Sequence, residues 1–358
     1  MTATGQTRAL AVRMFRSMLA TQELLTTYLG VRLGLYEELA RGGPATPDEL
    51  ARRAGLAPRY AREWLEQQAV AGLLAVDDPT LAARERVYRL PDDHVPVLTE
   101  SDDPLSMVAL TTLPLGGVAR ALPQLLAAYR SGDGVADEEF GDDWRSGHSG
   151  ANRALFARSL VPWIRRFLPD VDRRLRRPAR VADVACGAGW ASIALATAYP
   201  CASVTGLDLD ARTLEAARRH AAEAGVGERV TFEVRDAADP GLEGGYDLVC
   251  LFDALHELAR PVEVLGACRS LGAGGEVLVM DARVAEAFAA PADEIERFQY
   301  ATSVLHCLPA CLSERPSAGT GTVLRADAVR ELAAAAGFRQ VEVIPIDDRF
   351  HRLYRMVA

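Results

Sequence analysis

The 358-residue sequence contains no lysine. Every permanent side-chain cation is an arginine, which excludes a phosphate loop built on Gly-Lys-Ser/Thr and any Schiff base on a lysine amine. Long apolar runs are missing as well. None reaches the roughly 18 to 20 residues that a membrane span needs, and the opening MTATGQTRAL lacks the charged-then-apolar layout of a secretion signal. A cytoplasmic protein without a membrane partner is expected. The six cysteines are scattered and form no dense framework, which fits a reducing compartment. Positive charge is in deficit too: the net charge of −9 argues against nucleic acid as the main partner, since phosphate binding wants a basic face.

About half of the chain is apolar and a quarter charged, enough for more than one core. Residues 8–40 read as two helices, with Met14, Met18, Leu25, Leu29 and Leu33 near helical spacing. Thr46-Pro47-Asp48-Glu49 carries an N-cap, a proline at the first helical position and a glutamate three residues after the cap. A second helix is expected over Arg59–Ala71, and Leu73–Leu90 alternates enough to read as a two-stranded wing. Residues 104–169 look helical, broken by a polar loop over 131–150. From Arg180 short apolar strands alternate with Ala/Arg-rich helices. The predicted strands are Val181–Ala185, Ser203–Leu207, Val230–Val234, Tyr246–Phe252, Glu276–Asp281, Gln340–Pro345 and Arg352–Val357. This pattern predicts an α/β fold with a largely parallel sheet covered on both faces. An insertion over 282–325 holds a helix near Asp293–His306. The organisation expected is 1–100 as a winged-helix and dimerisation domain, 101–174 as a helical linker, and 175–358 as a ligand-binding domain.

Asp183-Val184-Ala185-Cys186-Gly187-Ala188-Gly189 joins a strand to a helix. Glycines there allow a tight turn and close approach of a ligand, and the helix start offers free N–H groups. Asp208 ends the next strand, where a carboxylate can accept both hydroxyls of a ribose. Asp236, followed by Ala237, ends the third and can meet an adenine edge. A dinucleotide fingerprint wants Gly or Ala where Ser192 stands, and Asp183 would repel a pyrophosphate. An acid beside the loop suits a cationic ligand, the sulfonium and ammonium of S-adenosylmethionine.

The segments DVACGAGWA, VTGLDLD, VRDAADP and YDLVCLFDALHEL, in this order, resemble the motifs of class I S-adenosylmethionine-dependent methyltransferases over residues 175–358. With the winged helix in front, the chain is similar to bacterial winged-helix small-molecule methyltransferases. The resemblance implies a Rossmann-like sheet and a cofactor set of Asp183, Ala185, Gly187, Gly189, Asp208, Leu209, Asp236, Ala237 and Phe252. Ala185 replaces the first glycine of the family loop. The resemblance also implies a homodimer, and the apolar faces of residues 8–40 agree with one.

Methyl transfer to a hydroxyl gains from a base of pKa near 6.5, because a phenol of pKa near 10 is mostly protonated at neutral pH. His256, just past the fourth strand, is the candidate. The resemblance matches His256-Glu257 to the family's catalytic histidine and following acid, and Asp281 to a carboxylate that orients the imidazole. The family's second orienting acid has no counterpart in GTGTV at 319–323. Met107, Trp144, Phe156, Tyr300 and His306 are candidate acceptor contacts, with Trp163 and Cys307 beside them. His306-Cys307-Leu308-Pro309-Ala310-Cys311 offers thiols and an imidazole without an evident fourth ligand, so no metal is expected. The partner expected is a small methyl acceptor. These residues leave oxygen, nitrogen and carbon acceptors open, as well as another sulfonium-assisted reaction. A DNA-binding regulator with a ligand-sensing domain is the other class, opposed by Glu63, Glu66, Asp77 and Asp78 around the recognition helix and wing.

Overall fold

The computed structural model describes residues 4–239, 241–242, 244–272, 274 and 276–358. It divides into two compact units: the described residues up to Gly116 together with Ser146–Ala151, and Gly117–Arg145 together with Asn152–Ala358.

In the first unit the helices are α1 (Gly5–Arg32), α2 (Leu35–Gly42), α3 (Pro47–Ala54) and α4 (Pro58–Val70). Thr46 Oγ1 accepts from Glu49 N, and Glu49 Oε2 accepts from Thr46 N at 2.8 Å, so the capping box expected at α3 is formed. Tyr36, Trp64, Leu50, Leu65 and Tyr88 make the core. Gly30 lets α1 approach that core, because a Cβ there would lie 2.5 Å from the Tyr36 ring. The wing is β1 (Ala75–Val76) paired antiparallel with β2 (Tyr88–Arg89). On α1, Leu10, Met14, Phe15 and Met18 remain exposed.

The second unit is built on one sheet. Its strands are β3 (Ala179–Val184), β4 (Ala202–Asp208), β5 (Val230–Val234), β6 (Leu248–Phe252), β7 (Glu276–Ala282), β8 (Gln340–Ile344) and β9 (His351–Val357), in the order β5-β4-β3-β6-β7-β9-β8. The first five are parallel, and β9 runs antiparallel between β7 and β8. Along β6, Leu248, Cys250 and Phe252 pack into one core cluster and Val249 and Leu251 into the other, so both faces are covered. The chain leaves β3 toward β4 on one side and β6 on the other. That switch of direction opens a crevice at the carboxyl ends of the strands, where open α/β sheets bind ligands.

Two expectations need correction. The polar stretch 131–150 is not a loop, since Asp137–Phe140 and Asp142–Ala151 are helical. Acids in their first turns complement the helix dipole, and the Gly and Ser content hid this. The helix expected to run to His306 is regular only over Glu294–Thr302, then widens into a π-helical turn at Ser303–Cys307. The described cysteines are all free, and Cys201, just before β4, is the exposed one.

Candidate active site

The loop after β3 turns through residues with positive φ: Ala185 at 54°, Gly187 at 51° and Gly189 at 78°. At Gly189 a Cβ would also meet the Phe232 ring at 2.6 Å. Ala185 occupies the left-handed region without the freedom of glycine, a strain of roughly 1–2 kcal/mol. Helix Trp190–Ala198 starts directly after the loop with its first N–H groups facing it.

Asp208 at the end of β4 is fixed by backbone donors. Gly187 N donates to one carboxylate oxygen at 2.8 Å and Asp210 N to the other at 2.9 Å. Each oxygen keeps a lone pair for a ribose hydroxyl. Burial pushes its pKa up, and the two N–H groups oppose that. Asp183, deep in β3, is buried and accepts from Ser192 Oγ at 2.6 Å. Burial lifts its pKa to about 6 despite that hydrogen bond. Such a group is ready to be ionised by a cation placed beside it.

A cavity of about 130 Å³ is lined by Ala185, Leu207, Asp208, Leu209, Asp236, Ala237, Glu257 and Arg260 among others. Asp236, expected to be free for an adenine amino group, is already engaged. Ala238 N donates to it at 2.8 Å and Arg260 Nη2 at 2.6 Å, and both help to hold its pKa low. An adenine edge must share Asp236 with Arg260. Leu209 is 59% exposed, and Phe252 is buried against Phe156 with ring centroids 5.8 Å apart. Acids set for hydroxyls and an ammonium, with an apolar wall between, fit S-adenosylmethionine.

On the other side of the crevice His256 sits in a short 3₁₀ turn, Leu255–Glu257, directly after β6. Its ring is buried and Nδ1 donates to Asp281 Oδ1 at 2.8 Å, while Asp281 Oδ2 accepts from the His256 backbone N–H at 3.1 Å. Burial alone would lower the imidazole pKa, but Asp281 and the neighbouring Cys307 raise it well above the ordinary value. Nε2 lies 3.6 Å from Glu257 Oε1. The loop without a second acid still serves the site, because Thr320 Oγ1 donates to the His256 carbonyl at 2.8 Å. His256, Glu257 and Cys307 offer ligand atoms within 4.8 Å of one another, short of the four donors of a closed zinc site.

Of the expected acceptor contacts, His306 and Trp144 come together, with ring centroids 4.0 Å apart and Phe140 4.7 Å from the imidazole. Tyr300 accepts from Arg325 at 3.3 Å, Trp163 is core, and Met107 belongs to the first unit. Three residues were missed. Ser192 orients Asp183, and Arg260 holds Asp236. Asp253 sits directly after β6 at φ 54°, accepting from Asn152 Nδ2 at 2.5 Å. Its signal was available, an acid closing a strand just as Asp208 does.

Residues 176–321 match the family described as methyltransferase domain, and residues 21–100 match the Rv2258c-like winged HTH domain. A ubiquinone biosynthesis O-methyltransferase of Erwinia tasmaniensis is 41% identical over 100 residues, 27% of this chain and 40% of that protein. The chain thus spans about two fifths of the length of such curated relatives. Among solved structures, the mitomycin 7-O-methyltransferase MmcR superposes with a TM-score of 0.72 at 18% identity, covering 99% of each chain. Human N-acetylserotonin methyltransferase, in complex with SAM, gives 0.71 at 19% identity over 97% of each. The protein has the class I methyltransferase fold, with a methyltransferase domain over residues 176–321 and a winged helix-turn-helix domain over 21–100.

Proposed function

We propose that the protein is an S-adenosylmethionine-dependent O-methyltransferase acting on a small organic acceptor, with His256 as general base. The observation that carries this reading is the buried His256 ring, held by Asp281 on Nδ1 at the end of β6. The cofactor supplies a methyl group on a sulfonium. Asp183 and Asp208 would hold its ammonium and ribose, and neutral His256 removes the acceptor's hydroxyl proton as the oxygen attacks. Asp281 fixes the tautomer and stabilises the imidazolium that forms. Asp236 and Ala237, which line the same cavity, would flank the base of the nucleoside.

The exposed apolar face of α1 supports a homodimer, and the free cysteines support a cytoplasmic setting. On α4 Arg59 pairs with Glu63, and Arg86 pairs with Glu66 at 3.0 Å, so cations that DNA would need are already neutralised. Among the described residues no helix is long and apolar enough to cross a membrane.

The test is incubation with S-adenosylmethionine and a panel of phenols, with S-adenosylhomocysteine release and the product ether read by mass spectrometry. His256→Ala is expected to lower turnover about 10²- to 10⁴-fold while S-adenosylhomocysteine affinity stays within about threefold. Near-native turnover in that variant removes the base role, and methylation at nitrogen or carbon alone removes the O-methyl reading.

A further inference from the structure

The contacts of His256 do not stop at Asp281. Its Nε2 faces Glu257 Oε1 at 3.6 Å, that oxygen lies 3.3 Å from His306 Nδ1, and His306 Nε2 lies 3.0 Å from Asp137 Oδ1. From Asp281 outward, side-chain exposure runs 1%, 5%, 20%, 2% and 68%. The series begins in the core and ends in water, alternating carboxylates with imidazoles. Phe140 and Trp144 fix the plane of the His306 ring. Cys307 is the other titratable group against both imidazoles.

We propose that Glu257, His306 and Asp137 form a proton path from His256 Nε2 to solvent, with His306 as the positioning residue at its centre. Its use in turnover rests on the O-methyl reading. A base that starts each cycle neutral has to discharge the proton it took from the acceptor, and burial closes the direct route. The His256 Nε2–H bond breaks as an O–H bond forms on Glu257. That proton passes to His306 Nδ1, His306 gives its own Nε2 proton to Asp137, and Asp137 releases it to water. The balance is a neutral His256 and one proton in solvent. His306 is left as the other tautomer; it resets when its Nδ1 proton leaves through Glu257, which opens onto the cofactor-side cavity when that cavity is empty, and its Nε2 takes a proton back from water through Asp137. With the cavity filled, the His306 branch is the remaining exit. The 3.6 Å step is longer than a hydrogen bond and the 3.3 Å step lacks the geometry of one, so Glu257 has to turn to close both. Burial lowers the proton affinity of His306, and Asp137, Cys307 and Glu257 more than restore it, so the ring can hold a proton in transit.

The path is read by the exchange rate of the His256 Nε2 proton with water, from ¹⁵N-histidine NMR of the full chain saturated with S-adenosylhomocysteine; six histidines keep the spectrum assignable. His306→Gln is expected to slow exchange on the order of 10- to 100-fold. Asp137→Asn, at an exposed position, should slow it in the same direction with the fold intact. Native exchange rates in both folded variants overturn the path. A protein that binds S-adenosylhomocysteine and shows the slowing, yet methylates no hydroxyl, keeps the path and loses the O-methyl reading.

Discussion

Acids line both halves of the crevice, but different groups hold them. On the β3–β5 side the carboxylates are fixed by backbone N–H groups, a hydroxyl and an arginine: Asp208 by Gly187 N and Asp210 N, Asp183 by Ser192 Oγ, Asp236 by Ala238 N and Arg260. On the β6–β7 side imidazoles join the backbone donors: Asp281 meets the His256 ring as well as two backbone N–H groups, and Asp137 meets His306, 169 positions away. Backbone, hydroxyl and arginine donors keep their own charge near neutral pH. Imidazoles form an array whose charge can change. Binding a cofactor needs the first, and moving a proton needs the second.

Substitutions on the two sides should therefore separate rate from affinity. The largest effect is expected for Asp281→Asn, which keeps the shape and removes the charge. Turnover should fall on the order of 10²-fold. Because Asp281 raises the His256 pKa and the base works when neutral, the native rate should climb with pH through a value above 6.5, and in the variant that limb should move down toward about 6.5. A pH profile of kcat/KM decides it, and an unmoved limb would detach Asp281 from the chemistry.

Asp208→Ala should leave that limb in place and weaken S-adenosylhomocysteine binding about 10- to 100-fold by calorimetry, equivalent to ~1.5–3 kcal/mol for hydrogen bonds to a charged group. Next comes the pH dependence of the same binding. Asp183 in the free protein holds a proton up to about pH 6, and an ammonium prefers its carboxylate. Affinity should thus rise with pH toward about 6 and level off above it, about tenfold weaker one unit below, and Asp183→Asn should flatten the curve. A flat native curve would move the ammonium elsewhere. The smallest effect is expected for Ala185→Gly. Relief of the φ 54° backbone is partly offset by a freer unfolded chain, so the melting temperature should rise by ~1–3 °C, and a fall would show that the alanine methyl supports the loop.

The same contrast explains what was legible in the sequence. The seven large-sheet strands could be read to within about two residues, because β6 is a continuous apolar run and β7 is broken only by Glu276 and Asp281 near its ends. Gly187 and Gly189 followed from turn chemistry within one strand-to-helix unit, and Asp208 from its place at the end of the next strand. The His256–Asp281 pair came from resemblance, and in the structure His256 Nδ1 lies 2.8 Å from Asp281 Oδ1. The helices over 137–151 were hidden by composition. The meeting of Asp137, Glu257 and His306 depends on tertiary packing around a π-helical turn, and no local pattern encodes it.

Cys201 precedes β4, whereas Asp208 closes that strand. Seven residues at about 3.3 Å each put the exposed thiol roughly 20 Å from the carboxylate. A maleimide fluorophore would therefore attach at the far end of the strand, clear of the crevice.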